Sequence, residues 1–104
     1  MREVQPGKGR YDLLWMHALQ RVAVVFEKGA AKYEERNWEK GMPLHRYYDS
    51  AMRHLVQYAT GDTSEDHLAQ ALWNIGCLID TEHWINEGVL PEELRDMPVN
   101  DGGA

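Results

Sequence analysis

The chain has 104 residues and a formal net charge of −6, which allows one domain with one small core and makes self-association expected. The negative charge disfavours nonspecific binding to nucleic acid, and no segment reaches the roughly 20 apolar residues that span a bilayer. The first ten residues do not resemble a signal peptide, and the single cysteine, Cys77, excludes an internal disulfide. We therefore expect a cytoplasmic protein that contacts neither nucleic acid nor membrane.

The first helix is expected to begin near Asp12, a plausible N-cap, and to continue through Gly29 to about Tyr33. The good helix formers after Gly29 favour continuation over a break. Residues 34–42 then have the composition of an ordered loop. The apolar face of this helix comprises Leu14, Leu19, Val22, Val25 and Phe26.

Pro43 fits the first turn of a second helix, which is expected to run to about Thr60 and to stop at Gly61. Apolar residues recur along it at alternating spacings of four and three, as they do in a helix packed on a neighbour. The expected buried stripe comprises Leu44, Tyr48, Ala51, Leu55 and Tyr58.

A third helix is expected to start within residues 62–66 and to close near Gly88, with a short turn over 91–95. Two capping pairs are available at its start, Asp62 with Glu65 and Thr63 with Asp66. Its expected apolar stripe comprises Leu68, Leu72, Ile75 and Ile79.

These elements predict an all-α fold, a compact bundle of three main helices plus a short C-terminal turn, packing into a dimer or higher oligomer. The expected organisation has three parts. Residues 1–10 form a flexible arm, 11–90 a single helical domain, and 91–104 the short turn followed by a disordered tail.

Polar residues occupy inward-leaning faces of the second and third helices. His54 shares a face with Tyr47 and Ala51, and His67 and Asn74 lie seven residues apart, almost superposed along the axis. Leaving such groups buried and unpaired costs roughly 1–3 kcal/mol each. They are therefore either satisfied by internal hydrogen bonds or directed toward a ligand cavity.

The junction of the second and third helices gathers two histidines and three acids. Capping alone accounts for the acids, and a single histidine in a helical core is usually structural. Taken together, however, neutral imidazoles and carboxylates suit a divalent metal. The candidate metal ligands are Asp62, Glu65, Asp66, His54 and His67.

Cations and aromatic residues in the segment 32–38, together with Arg53 and Asn74 on the later helices, offer a surface for a nucleotide. Arginine and lysine bind phosphate oxygens, and aromatic rings stack on bases, although a solvated face and a packed core are the ordinary roles of such residues. The candidate phosphate-binding residues are Lys32, Arg36 and Arg53. The candidate nucleoside-binding residues are Tyr33, Asn37, Trp38 and Asn74.

Several separated motifs resemble, in order, those of the phage and bacterial dATP/dGTP diphosphohydrolases, the MazZ-like branch of the MazG-type all-α nucleotide pyrophosphohydrolases. The matching segments are 27–33 (EKGAAKY), 36–41 (RNWEKG), 53–55 (RHL), 67–68 (HL) and 73–74 (WN). The resemblance covers roughly residues 9–82, most of the chain.

The resemblance implies a helical homodimer or homotetramer in the cytoplasm, the host cytoplasm if the chain is phage-encoded. It implies cleavage of a purine deoxynucleoside triphosphate to monophosphate and pyrophosphate with Mg²⁺ or Mn²⁺. It also implies that the acids and histidines named above surround the metal, that Lys32 and Arg53 hold phosphates, and that the amides and Trp38 border the nucleoside.

The chain also departs from the better-known MazG-type pattern of a Glu-Glu-x-x-Glu run and a Glu-x-x-Asp run. Glu34, Glu35 and Glu39 have a different spacing, and the third helix has His67 and Gln70 where acids are expected. Two alternatives to hydrolysis follow: a protein that binds or sequesters a nucleotide without cleaving it, and a helical assembly protein whose aromatics form a subunit interface.

Overall fold

The computed structural model describes residues 6–32 and 37–98, and within them the regular structure is entirely helical, which confirms the predicted all-α class. The long helices are α1 (Met16–Lys32), α2 (Leu44–Ala59) and α3 (His67–Asn86). Three short 3₁₀ turns accompany them, at Tyr11–Leu13, Asn37–Lys40 and Glu92–Leu94. Across the described residues, no helix is both long and apolar enough to cross a membrane.

Helix α1 continues through Gly29 to Lys32 as predicted, but it begins at Met16 rather than near Asp12. Asp12 lies in the first 3₁₀ turn, where both of its carboxylate oxygens accept hydrogen bonds from Arg10, at 2.9 and 2.8 Å. Because Leu14, which ends this turn, has extended backbone at φ −64° and ψ 153°, the turn does not continue into α1 and Asp12 does not cap that helix.

Helices α2 and α3 form an antiparallel hairpin that contains the core. His54, near the end of α2, contacts His67 at the start of α3, and Tyr47 near the start of α2 hydrogen-bonds with Thr81 further along α3. The buried residues of α2 are Leu44, Tyr47, Ala51 and His54. Those of α3 are His67, Ala69, Ala71, Asn74, Cys77, Thr81 and Ile85.

The predicted stripe of α2 is wrong at three of its five positions. Tyr48, Leu55 and Tyr58 are exposed, while Tyr47 and His54 take the inward positions. A shift of one residue rotates the buried face by about 100°. The reason lies in α3, whose buried face consists mainly of small and polar side chains that receive the tyrosine ring and the imidazole.

Helix α3 is the central element, because α1 packs on it from a different side than α2. Leu68 and Leu72 are half-buried and line the α1 contact, and Phe26 meets Trp73 edge-to-face with ring centroids 6.1 Å apart. Ile75 and Ile79, predicted to be buried, are exposed. The expected apolar stripe of α3 therefore supplies the α1 contact and an outer surface rather than the main core.

The segment after α3 returns to the start of α2. The short turn Glu92–Leu94 lies within the predicted range 91–95. Beyond it, Asp96 accepts a hydrogen bond from the His45 backbone N–H at 2.9 Å and also contacts the His45 ring. Pro43 offers no side-chain cap, so Asp96 satisfies one of the free N–H groups of α2. Of the predicted tail, residues 99–104 lie outside the described residues.

Large apolar side chains remain exposed on α1 and just before it. Trp15 is 67% exposed and Met16 71%, and none of the α1 side chains that the structure describes is buried. Apolar surface of this extent marks contact sites in small proteins. The predicted dimer or higher oligomer stays a prediction, and these exposed residues are the candidates for its interface.

Candidate functional site

The connection between α2 and α3 is short and held by its own backbone. Gly61 ends α2 with φ +89°, and the N–H groups of Gly61 and Asp62 bond back to the carbonyls of Tyr58 and Gln57, the Schellman pattern. Asp62 Oδ1 then accepts the Ser64 N–H at 2.7 Å. This turn lays the acidic residues of the connection over the start of α3.

Two buried histidines face each other at this end of the hairpin. The Nδ1 atoms of His54 and His67 lie 2.9 Å apart, and His67 is only 2% exposed. At this separation one ring donates an N–H hydrogen bond to the other. If both Nδ1 atoms are deprotonated, each has a lone pair, and the two nitrogens can bind one cation instead.

Two carboxylates complete the cluster. Glu65 Oε1 lies 3.8 Å from His54 Nδ1, and Asp62 Oδ1 lies 3.5 Å from His67 Nε2. Within the described residues, the buried Nε2 has no hydrogen-bond partner. Donor atoms of His54, Glu65 and His67 all fall within 4.8 Å of one another. This set fits a divalent metal, since imidazole nitrogen and carboxylate oxygen are common ligands for such ions.

Asp66 is the predicted metal ligand that the structure places apart from this cluster. Its side chain caps α3 by accepting the Ala69 N–H at 3.2 Å, and both of its oxygens bind the Arg21 guanidinium. Neither of the two predicted capping pairs provides this cap, because Asp66 itself is the N-cap residue. Arg21 was not predicted as a site residue, since its partner lies 45 positions away and no local pattern reveals it.

Two further predicted site residues lie on the helices that supply the histidines. Asn74 is buried and donates from Nδ2 to the Gln70 carbonyl at 2.9 Å, so part of its hydrogen-bonding capacity is satisfied within α3. Arg53 is exposed beside His54 and reaches Ser50 Oγ at 3.3 Å. A guanidinium in this position is accessible to a phosphate. The assignments of Asn74 to the nucleoside and Arg53 to phosphate stay predictions.

The remaining predicted site residues lie at the end of α1 and in the connection that follows. Lys32 is the last residue of α1, and the turn Asn37–Lys40 includes Trp38, but the side chains of Lys32, Asn37 and Trp38 are outside the described part of the chain. Tyr33 and Arg36 lie outside it altogether. Their predicted roles toward phosphate and nucleoside remain untested.

The surroundings of His54 favour its neutral form. Burial lowers the pKa of His54, with His67 and Arg53 adding to the effect, while the nearby Glu65 carboxylate acts in the opposite direction. The pKa of Asp62 is also lowered, chiefly because its carboxylate accepts the hydrogen bond from the Ser64 backbone. A neutral imidazole beside ionised carboxylates is the protonation state that metal binding requires.

The lowered pKa of His54 predicts how stability depends on pH in the metal-free protein. Between that pKa and the ordinary value of about 6.5, the unfolded chain holds more protons than the folded one, so the free energy of unfolding falls as pH decreases below about 6.5. We expect urea unfolding in EDTA at pH 7.5, 6.5 and 5.5 to show this fall. The fall should be smaller in His54→Gln, and an equal fall in wild type and His54→Gln would contradict the prediction.

A protein-family model matches most of the chain. Residues 1–88 match the family model described as "dATP/dGTP diphosphohydrolase, N-terminal". The chain belongs to this family. The match includes α1, α2, the connecting loop and all of α3, and therefore the whole histidine–carboxylate cluster. It confirms the resemblance stated above. No curated protein and no solved structure matches the chain.

Proposed function

We propose that this protein is a metal-dependent pyrophosphohydrolase that converts dATP or dGTP to the monophosphate and pyrophosphate. The observation that supports the proposal best is the buried pair of imidazoles, with Nδ1 atoms 2.9 Å apart and the Glu65 carboxylate beside them. The description of the family to which the chain belongs names the same two nucleotides and a hydrolytic activity.

His54, Glu65 and His67 would hold the metal. A bound divalent ion neutralises phosphate charge and lowers the pKa of water, which supplies the nucleophile for attack on the α-phosphorus. Two of the three donors are nitrogens, whereas Mg²⁺ prefers oxygen ligands. Of the two metals that the sequence resemblance implies, we therefore propose Mn²⁺ as the better fit.

The other residues near the site orient its ligands and position the substrate. Asp62 would accept a hydrogen bond from the Nε2–H of His67, which keeps the proton on Nε2 and leaves Nδ1 free to bind the metal. Arg53 would contact phosphate oxygens through two N–H groups. Cys77 is buried and its pKa is raised to about 12 by burial, so the thiolate is not an available nucleophile. This favours direct attack by water over a covalent intermediate.

The proposal predicts release of pyrophosphate when the protein is incubated with dATP or dGTP and Mn²⁺, with lower activity in Mg²⁺ at equal concentration. An enzyme-coupled pyrophosphate assay measures the rate, and ³¹P NMR identifies the products as monophosphate and pyrophosphate. EDTA should abolish turnover. Absence of turnover with all common nucleoside triphosphates and both metals would contradict the proposal.

Calorimetry with and without EDTA separates hydrolysis from the main alternative, which is a protein that sequesters a nucleotide without cleaving it. The motivation for that alternative is the departure from the acid-rich pattern of the better-known MazG-type enzymes, since His67 and Gln70 stand where acids are expected. It requires tight binding in calorimetry that persists in EDTA, with the nucleotide recovered intact. Binding that depends on Mn²⁺ and ends in cleavage supports the enzyme.

A further inference from the structure

A two-pronged ion pair joins α1 to the loop that contains Glu65, the carboxylate ligand of the proposed metal site. Arg21 Nε donates to Asp66 Oδ2 at 2.8 Å, and Arg21 Nη2 donates to Asp66 Oδ1 at 2.5 Å. The guanidinium plane fixes both carboxylate oxygens at once, which a single contact cannot do. This ion pair connects helix α1 to the N-cap residue of α3, although the two residues are 45 positions apart in the sequence.

Asp66 stands between two members of the cluster, Glu65 and His67. Its Oδ1 also accepts the Ala69 N–H, so the same carboxylate is tied to α1 and to the first turn of α3. The His67 N–H in turn bonds to the Glu65 carbonyl at 3.0 Å. His67 is held by its helix, whereas Glu65 is exposed and precedes it, so the orientation of Glu65 depends on how firmly Asp66 is held.

We propose that Arg21 is a positioning residue for the metal cluster: by binding both oxygens of Asp66 it fixes the junction between the loop, from which Glu65 projects, and α3, from which His67 projects. The inference rests on the proposed function, in that it takes His54, Glu65 and His67 as the metal ligands. It assigns Asp66 to orientation of the cluster rather than to direct coordination.

Positioning and stability are separable here because both partners are substantially exposed, with side-chain exposures of 52% for Arg21 and 37% for Asp66. Exposed ion pairs contribute little to folding. Loss of a partner that orients a metal ligand, in contrast, typically weakens metal binding by roughly 10- to 100-fold. A large change in metal affinity with a small change in Tm is therefore the signature of positioning.

The test is the dissociation constant for Mn²⁺, measured without nucleotide from the EPR signal of the free ion. We expect Arg21→Ala to weaken binding by about 10-fold or more, while the Tm of the metal-free protein falls by no more than about 8 °C. Arg21→Lys should recover part of the affinity, because it restores a charge but not the two-pronged contact.

The chain contains a matched control. Arg10 binds Asp12 through the same two-pronged contact, at 2.9 and 2.8 Å, in another exposed ion pair that includes no member of the cluster. Arg10→Ala should leave Mn²⁺ affinity unchanged. Equal losses in Arg10→Ala and Arg21→Ala would overturn the proposal, since both would then reflect general loss of charge or stability.

A double-mutant cycle with Asp66→Asn tests whether Arg21 acts on the metal site through Asp66. Asparagine is as good an N-cap as aspartate, so this variant keeps the cap of α3 while weakening the pair with Arg21. Positioning predicts that the effects of Arg21→Ala and Asp66→Asn on Mn²⁺ affinity are non-additive. The double variant should bind Mn²⁺ about as tightly as the single variant that has the lower affinity. Additive losses would show that Arg21 does not act through Asp66 and would overturn the proposal.

Two further outcomes separate this inference from the proposed function. If wild type binds Mn²⁺ and Arg21→Ala binds it equally well, the positioning role is overturned while the metal site stands. If wild type binds no Mn²⁺, both are overturned. Should Arg21→Ala fail to fold, Asp66→Asn alone decides the matter, and an unchanged Mn²⁺ affinity in that variant overturns the proposal.

Discussion

His67→Ala is expected to abolish Mn²⁺ binding and, with it, release of pyrophosphate from dATP or dGTP. His67 supplies one of the two buried nitrogens of the cluster, and its Nδ1 lies 2.9 Å from the Nδ1 of His54. Removal of a direct ligand should cost more than the roughly 10- to 100-fold that loss of an orienting partner costs. Mn²⁺ titration followed by EPR and the pyrophosphate assay measure the two losses independently.

The control for this variant is His83→Ala on the same helix. His83 is exposed, lies four turns further along α3 and contacts Trp84 rather than any member of the cluster. It should retain both Mn²⁺ affinity and activity. Because His67→Ala also removes a buried side chain, far-UV circular dichroism and Tm must show that it remains folded. Near wild-type Mn²⁺ affinity in a folded His67→Ala would remove His67 from the site.

Gly41→Ala is expected to lower the free energy of unfolding by about 2–5 kcal/mol. Gly41 has φ +76°, a backbone conformation that alanine adopts only at a cost. A Cβ at this position would also lie 3.0 Å from Leu90 Cδ1 and 3.1 Å from Leu94 Cδ1. The variant therefore combines backbone strain with crowding at the point where the C-terminal segment packs against the entry to α2. Urea unfolding measures the loss.

Gly88→Ala separates the two causes. Gly88 has almost the same φ, +75°, but a Cβ there would meet nothing within 4 Å. We expect a loss of about 1–2 kcal/mol from backbone strain alone. The difference between the two variants is the cost of crowding against the leucines. Equal losses would show that the leucine side chains move aside freely, contrary to the prediction for Gly41.

The sequence predicted the ends of a helix well where a glycine with positive φ terminates it. Gly61 and Gly88 end α2 and α3 with positive φ, as expected for glycine at this position. Asp12 was the exception. Its carboxylate binds a neighbouring arginine within a short turn, and extended backbone at Leu14 separates that turn from α1, which starts four residues later. A break of this kind in the backbone is not visible in the spacing of residues.

Periodicity was informative about the polar residues and less so about the apolar ones. His54, His67 and Asn74 were predicted to lie on inward faces, and all three are buried. Tyr48 and Tyr58 were predicted to be buried and are instead 50% and 56% exposed. In a short amphipathic helix the apolar residues cover more than one face, and the neighbouring helix selects which face is buried.

The sequence by itself determined the helical class, the order and approximate ends of the helices, the family, and the two histidines of the candidate metal site. All of these depend on residue type and local spacing. Only the tertiary structure decided which carboxylates join the histidines: Glu65 and Asp62 lie against the imidazoles, whereas Asp66 is held by Arg21 from another helix. Three acids within five positions look equivalent in a sequence, and they differ only through contacts made by residues far away along the chain.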